Sequence, residues 1–312
     1  MSIKKLSIIT PSLNRKDMLE DVVVNVAAQK YPNYEHIIID GGSTDGTVEW
    51  AKTIPQIKFI SEPDQGVYDA FNKGLALASG DVIGFLNTDD LYAENIFVAI
   101  MEKFDDNDVS AVAGKAIVFS EISDGRITVT GNYDPSEKSL LECSTIDKNY
   151  FNAWFFHRSV FEKIGVFNVS YQVAGDRDFM FRFYLNDLKF VPLNRLVYQY
   201  RQHPGSLTFD DTYEKRELSA TDHLNMTTFY LQDQRLLPEA RSLLKQLRTR
   251  EAQEMVERSI KAWKLRKCIF YINESIKYDI TWMPKLLWHT ILTTITFPVR
   301  LMWRTLKRIV YS

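Results

Sequence analysis

Ser79-Gly80-Asp81-Val82-Ile83-Gly84-Phe85-Leu86-Asn87-Thr88-Asp89-Asp90 is the stretch whose reading decides the fold. A short apolar run bounded by turn residues reads as a fully buried strand. The amide, hydroxyl and two carboxylates that close it lie at the carboxyl end, where open α/β sheets bind their ligands. Adjacent carboxylates after a strand are also common in solvated turns, so the surrounding sequence must choose between a turn and a site.

Three earlier strand-like runs supply the context. Leu6-Ser7-Ile8-Ile9-Thr10 ends in Pro11-Ser12, and a helix follows with Met18, Leu19, Val22, Val23 and Val26 at helical spacing. Tyr34-Glu35-His36-Ile37-Ile38-Ile39-Asp40 leads into Gly41-Gly42-Ser43-Thr44-Asp45-Gly46-Thr47, and Ile57-Lys58-Phe59-Ile60 precedes Ser61-Glu62-Pro63-Asp64-Gln65-Gly66. Strand, polar loop and helix in repetition predict a mostly parallel sheet with helices on both faces. Loops carrying Pro11–Asn14, Asp40–Asp45, Ser61–Gly66 and Asn87–Asp90 then meet at one sheet edge, framing a nucleotide-sized crevice.

Composition bounds the rest. The chain has 312 residues, 45% hydrophobic and 25% charged, enough for one large domain and an appendage. Cys143 and Cys268 are too few for a disulfide framework and lack metal-type spacing, which fits a reducing, cytoplasmic setting. The start, Met1-Ser2-Ile3-Lys4-Lys5-Leu6, has no export-signal pattern. Lys261–Ser312 hold ten Lys/Arg and two acids, so the net charge of −2 conceals a +8 tail on a −10 body. That asymmetry points to an anionic surface as partner for the tail and excludes nucleic acid for the protein as a whole.

The glycines match neither the dinucleotide fingerprint nor the phosphate-binding loop that ends in Gly-Lys-Ser/Thr. A loop bearing carboxylates suggests instead a divalent cation, Mn²⁺ or Mg²⁺, shared between protein and diphosphate. Asp40 taken alone also reads as a cap of the next helix.

Five stretches in order carry a resemblance. Ser7–Arg15, Ile38–Thr47, Asp64–Gly74, Gly80–Asp90 and Ala174-Gly175-Asp176-Arg177-Asp178 resemble the inverting nucleotide-sugar glycosyltransferases of family 2, which have the Rossmann-like GT-A fold. The resemblance implies a metal-dependent transfer of sugar, from a nucleotide diphosphate that is expected to be UDP, to a saccharide or lipid-linked saccharide in surface polysaccharide synthesis. It places Pro11, Ser12, Asn14 and Asp40 on the nucleoside, adds Asp69 and Asn72 to the donor site, and makes Asp89 the prime metal ligand. Asp90 is then a second ligand or the group that orients the first. Asn87 stands where the commonest motif has an acid, and its amide suits a ribose hydroxyl. Asp176 occupies the position of the catalytic base, with Asp178 as the alternative; acids there also stabilise a helix start through its dipole. Gly175 stands where a Glu is frequent.

Tyr198–Thr208 resembles the family's flexible closing loop, in which Arg201 or His203 meets the diphosphate or completes the metal shell. Trp154 fits either a sugar platform or the core, and His157 reads as structural. These assignments divide the chain into a catalytic domain, 1–210, with nucleotide-binding (1–100) and acceptor-binding (101–210) halves, a helical extension, 211–280, and a tail, 281–312. Tyr213–Leu236 and Pro238–Lys277 read as the extension's helices. In the tail, Trp and aliphatic residues interleave with Lys and Arg, and the uncharged run Leu286–Val299 is interrupted by Pro298. It is shorter than the ~20 residues of a spanning helix. A basic amphipathic segment of this kind suits the anionic inner face of the cell membrane, and packing on the body or in a homodimer is its alternative. The competing activities are a sugar-nucleotide nucleotidyltransferase, whose glycine-rich triphosphate loop Pro11–Arg15 does not provide, and a catalytically inactive donor-binding or assembly subunit.

Overall fold

In the first hundred residues the apolar runs become strands that pair as the alternating pattern requires. The computed structural model describes residues 3–106, 108–121, 127–148, 150–203 and 211–278. Strands β1 (Leu6–Ser12), β2 (Tyr34–Asp40), β3 (Ile57–Ser61) and β4 (Val82–Phe85) alternate with helices α1 (Lys16–Ala27), α2 (Thr47–Ala51) and α3 (Val67–Leu77). All four strands run parallel, with β1 between β2 and β4 and β3 beyond β2. Ser12 pairs with Asp40 and Asp40 with Ser61, so three strand ends stand abreast. The hydroxyl of Thr88, after β4, donates to the Pro11 carbonyl and ties the fourth loop to the first.

The second half extends the sheet and makes it mixed. Its elements are β5 (Leu91–Tyr92), α4 (Phe97–Lys103), β6 (Ala111–Glu121), β7 (Ile127–Tyr133), α5 (Leu140–Ser144), β8 (Trp154–His157), α6 (Ser159–Ile164), α7 (Gly175–Leu185) and β9 (Phe190–Arg201). The order across the sheet is β3-β2-β1-β4-β8-β6-β9-β5, with β7 paired to β6. β8 enters antiparallel to β4 and β6, while β9 returns parallel to β6. Between Gly114 and Ala116 the β6–β9 register slips, Gly114 facing Leu193 but Lys115 facing Leu196 and Ala116 facing Tyr198. Tyr198-Gln199-Tyr200-Arg201, expected in a flexible loop, therefore belongs to the end of a strand. The remainder of that expected loop, 204–208, lies outside the described residues.

Both sheet faces are covered, as a βαβ arrangement demands. Ile8 and Phe155 point into one core with Val22, Val26, Phe97 and Phe104; Ile9 and Phe156 point into the other with Ile37, Phe71, Phe85 and Phe179. The alternation of neighbours between cores is the two-residue period of a strand. Trp154 is core, 4.7 Å from the Phe190 ring and stacked on Phe156, so no sugar platform forms there.

Helices α8 (Tyr213–Leu231), α9 (Pro238–Lys261) and α10 (Leu265–Ile276) follow. The chain divides into two compact units between Tyr230 and Leu231, which leaves nearly all of α8 with the first. The single helix expected over 238–277 is broken. Trp263 takes a left-handed backbone, φ 57°, and the Lys264 N–H returns to the Ser259 carbonyl at 2.9 Å. This is a Schellman-type stop with Trp in the place that glycine usually fills, so no glycine or proline announces it. Among the described residues no helix is long and apolar enough to cross a membrane. The predicted tail, 281–312, lies outside them.

Gly84 in β4 allows the close approach of β8. A Cβ there would stand 2.6 Å from the Phe155 ring and 3.0 Å from Ile8. Gly84→Ala is expected to lower stability by about 1–3 kcal/mol, the usual cost of overpacking a core. Urea denaturation checks this, and an unchanged midpoint would contradict it.

Candidate active site

Ser12, Asp40 and Ser61 end three neighbouring parallel strands at one edge of the sheet. Asp40 is fully buried. One of its carboxylate oxygens accepts the N–H groups of Gly42 (3.1 Å) and Ser43 (2.8 Å) and the Ser61 hydroxyl (2.7 Å); the other accepts the Ser43 hydroxyl. The carboxylate expected to meet a nucleobase is thus turned into its own loop. Asn14, with φ 51°, accepts the Thr44 N–H at 2.8 Å and joins the first two loops. The Ser12 hydroxyl is buried and has no hydrogen-bond partner among the described residues.

At the end of β4 the two carboxylates part company. Asp90 points inward, accepting the Tyr198 hydroxyl (2.9 Å), the Arg201 N–H (2.8 Å) and the Asn87 side-chain amide (3.3 Å). Burial, with Asp89 beside it, pushes Asp90 up to about 8. Tyr198 in turn accepts the Asn87 N–H at 3.1 Å, so β9 sets the shape of the Asn87–Asp90 turn. Asp89 points outward, with its carboxylate 2.9 Å from His203 Nε2. The Arg201 guanidinium lies over the Phe119 ring, 5.6 Å from its centroid, and 3.8 Å from Asp21.

Asp69 and Asn72, both on α3, have local partners. Asp69 accepts the Gln65 N–H at 3.0 Å and pairs with Lys73 at 3.4 Å. Asn72 binds both backbone groups of Phe167, each at 2.9 Å, and so anchors the segment leading to α7.

That segment ends at Asp176, whose Oδ1 accepts the Arg177 N–H (2.7 Å) and the Tyr68 hydroxyl (3.1 Å). The same hydroxyl lies 2.7 Å from the Val173 carbonyl. Enclosure raises the Asp176 pKa, while Arg177 and the Tyr68 hydroxyl work to lower it. Tyr68 also explains Gly175, because a Cβ there would sit 2.7 Å from the ring. The side chain missing at 175 is replaced in space by a phenol from α3. Asp178, the alternative base, is engaged elsewhere, by Arg182 at 3.0 Å and by the Tyr230 hydroxyl at 2.7 Å.

Behind Asp176 stands α8. The Asp222 carboxylate accepts three consecutive N–H groups, from Gln172 (2.7 Å), Val173 (2.7 Å) and Ala174 (3.3 Å). Arg177 Nε meets His223 at 3.2 Å, and its Nη2 meets the Asp147 carbonyl at 2.9 Å. Tyr200 packs beside Tyr198, with ring centroids 4.5 Å apart. Its hydroxyl accepts the Asn152 N–H at 3.2 Å, and its pKa is driven up by burial, then by the charge of Asp90 and further by that of Asp176. Sequence reasoning missed Tyr198, Tyr200 and Asp222. The i, i+2 spacing of the tyrosines is a strand signal that could have found them, whereas nothing local marks Asp222.

A metal would find two outward groups here, Asp89 and His203. Among the described residues no cluster of three His, Cys, Asp or Glu side chains is arranged to hold an ion. Two protein ligands suit a cation whose remaining positions come from substrate phosphates and water.

Comparison with known proteins identifies the family. Residues 7–165 match the sequence profile described as glycosyl transferase family 2. An uncharacterized glycosyltransferase of Mycobacterium tuberculosis is 35% identical over 191 residues, covering 58% of this chain and 69% of that protein. A PGL/p-HBAD biosynthesis glycosyltransferase of Mycobacterium bovis is 31% identical over 193 residues, 60% of this chain and 72% of that one. In fold, the chain is similar to Staphylococcus aureus TarS 1–349 in complex with UDP-GlcNAc, with a TM-score of 0.66 at 15% identity over 88% of this chain and 81% of that one. It is also similar to the mannosyltransferase PcManGT of Pyrobaculum calidifontis with GDP-Man and Mn²⁺, with a TM-score of 0.54 at 17% identity over 96% and 83% of the two chains. The five ordered motifs, the mixed sheet and the profile spanning half the sequence converge, and the chain belongs to glycosyl transferase family 2.

Proposed function

We propose that this glycosyltransferase is metal-dependent and inverting, moving a sugar from a nucleotide diphosphate, UDP foremost, to a saccharide or lipid-linked saccharide acceptor. The observation that carries the reading is the turn after β4, where Asp89 faces outward beside His203 while Asp90 is held inward by Tyr198 and the Arg201 N–H. Support for the base comes from Asp178 as well, since its carboxylate is already held by Arg182 and Tyr230.

In this reading Asp176 accepts the proton of an acceptor hydroxyl as that oxygen forms its bond to the anomeric carbon from the face opposite the phosphate. The bond from the anomeric carbon to the diphosphate oxygen breaks in the same displacement, so configuration inverts and nucleoside diphosphate leaves. Tyr68 and the Arg177 N–H hold the carboxylate in register. Asp89 and His203 would hold Mn²⁺ or Mg²⁺. Such a cation supplies Lewis-acid stabilisation of the leaving diphosphate. The Ser12 hydroxyl and the backbone of Pro11–Asn14 offer the nucleoside the contacts that Asp40 turns away from. Donor binding to TarS as UDP-GlcNAc is in keeping with UDP. The tail, 281–312, is proposed to hold the enzyme at the cytoplasmic face of the membrane, near a lipid-linked acceptor.

Three outcomes test this. A panel of UDP- and GDP-sugars with Mn²⁺, read by nucleotide release, is expected to favour a UDP donor, and Asp176→Asn is expected to lower that turnover by about 10²- to 10⁴-fold. Wild-type turnover in the variant would remove Asp176 from the mechanism. Chelation should abolish activity and Asp89→Asn should raise the Mn²⁺ concentration needed for half-maximal rate; equal Mn²⁺ titrations would refute the metal seat. Because the Tyr68 hydroxyl lowers the Asp176 pKa and the base works deprotonated, Tyr68→Phe should move the acid limb of kcat/KM to higher pH. A limb that stays in place would deny Tyr68 its positioning role.

A further inference from the structure

Helix α10 buries one side and leaves another apolar side open. Cys268, Tyr271 and Ser275 are buried, and α10 packs along α9. Leu265 (71% exposed), Ile269 (52%) and Phe270 (49%) face outward, and Trp263, at the tip of the α9–α10 turn, is 89% exposed. Ile272 and Ile276, half-buried, continue the row begun by Leu265 and Ile269 at spacings of three and four residues. Within Ser259–Asn273 there are four cations, Lys261, Lys264, Arg266 and Lys267, and no acid. Glu274, the next acid, is buried and paired with Arg248 and Lys277.

We infer that the Trp263–Ile276 face docks on the surface of an anionic lipid bilayer. Exposed Trp, Leu, Ile and Phe flanked by Lys and Arg suit a helix lying in the headgroup boundary, its apolar side chains sunk among acyl chains and its cations on phosphates. Charge decides between this occupant and the two polypeptide candidates. A second copy in twofold contact would set four cations against four. The remainder of the chain, 279–312, carries five Lys/Arg and one Asp, and is repelled for the same reason. Anionic phospholipid is the partner whose charge is complementary. The docking surface rests on the reading of a membrane-face enzyme but is separate from the tail, and it belongs to the second unit, whereas Asp89 and Asp176 belong to the first.

The test places an environment-sensitive probe on the face itself. In the full-length protein Leu265→Cys is labelled with a nitrobenzoxadiazole fluorophore, Cys143 and Cys268 being buried. Vesicles of phosphatidylcholine mixed with phosphatidylglycerol are expected to shift the emission to the blue and brighten it, and pure phosphatidylcholine vesicles are not. Lys261→Gln with Arg266→Gln should weaken vesicle binding by roughly thirtyfold while leaving nucleotide release from a soluble assay unchanged. A probe that stays water-like while the protein sediments with anionic vesicles would assign docking to the tail alone and overturn the inference. A probe already shielded without lipid would overturn it too, by showing that this chain or a second copy covers the face, and so would the absence of any vesicle binding. Probe emission and vesicle binding do not depend on turnover, so a failure of the docking surface is distinguishable from a failure of the catalytic proposal.

Discussion

Three consecutive backbone N–H groups converge on the carboxylate of Asp222, and the position of Asp176 depends on that convergence. A buried carboxylate is tolerable only when donors surround it. The donors here are the amides of Gln172, Val173 and Ala174, the last residues before α7 begins. Tyr68 holds the same segment from the other side through the Val173 carbonyl. A loop clamped between α3 and α8 delivers the helix start, and with it the proposed base, to a fixed place.

A similar economy shapes the Asn87–Asp90 turn. One carboxylate of Asp89-Asp90 faces out, and the other faces in to receive Tyr198 and Arg201 from β9. The inward acid is costly to bury, and its raised pKa records that cost. Its three donors make the turn a rigid mount for its neighbour. Supporting shells of this kind separate a site from a mere cluster of acids.

The parallel half of the fold was legible in the sequence because its signals are local. Apolar runs of four to seven residues, each closed by a polar loop, define β1 to β4 and put Ser12, Asp40, Ser61 and Asp89 near one edge. What escaped was set by tertiary partners. Asp40 reads as a ligand-facing acid, and only the fold shows that its own loop and Ser61 supply it with donors. Nothing local marks the contact of Tyr68 with Asp176, for which Gly175 makes room. The α9–α10 break has no glycine, since Trp263 takes the left-handed position, and the end of β9 resembles a loop because its strand character comes from β6. Asp222 lies mid-helix, where only the fold reveals that α8 returns to the segment before α7.

The slip in register between β6 and β9 has an evolutionary consequence. Leu193 and Tyr198 are five residues apart in β9 but face Gly114 and Ala116, only two apart in β6. The surplus of chain stored there sets which side of the sheet Tyr198 occupies, and a deletion of one residue would turn its phenol to the opposite face. Asp90 would lose its donor and the turn its shape, although no residue of the site had changed. Loops elsewhere can lengthen or shorten as acceptors diversify; the distance from Leu193 to Arg201 is a count that descendants of this sequence must keep.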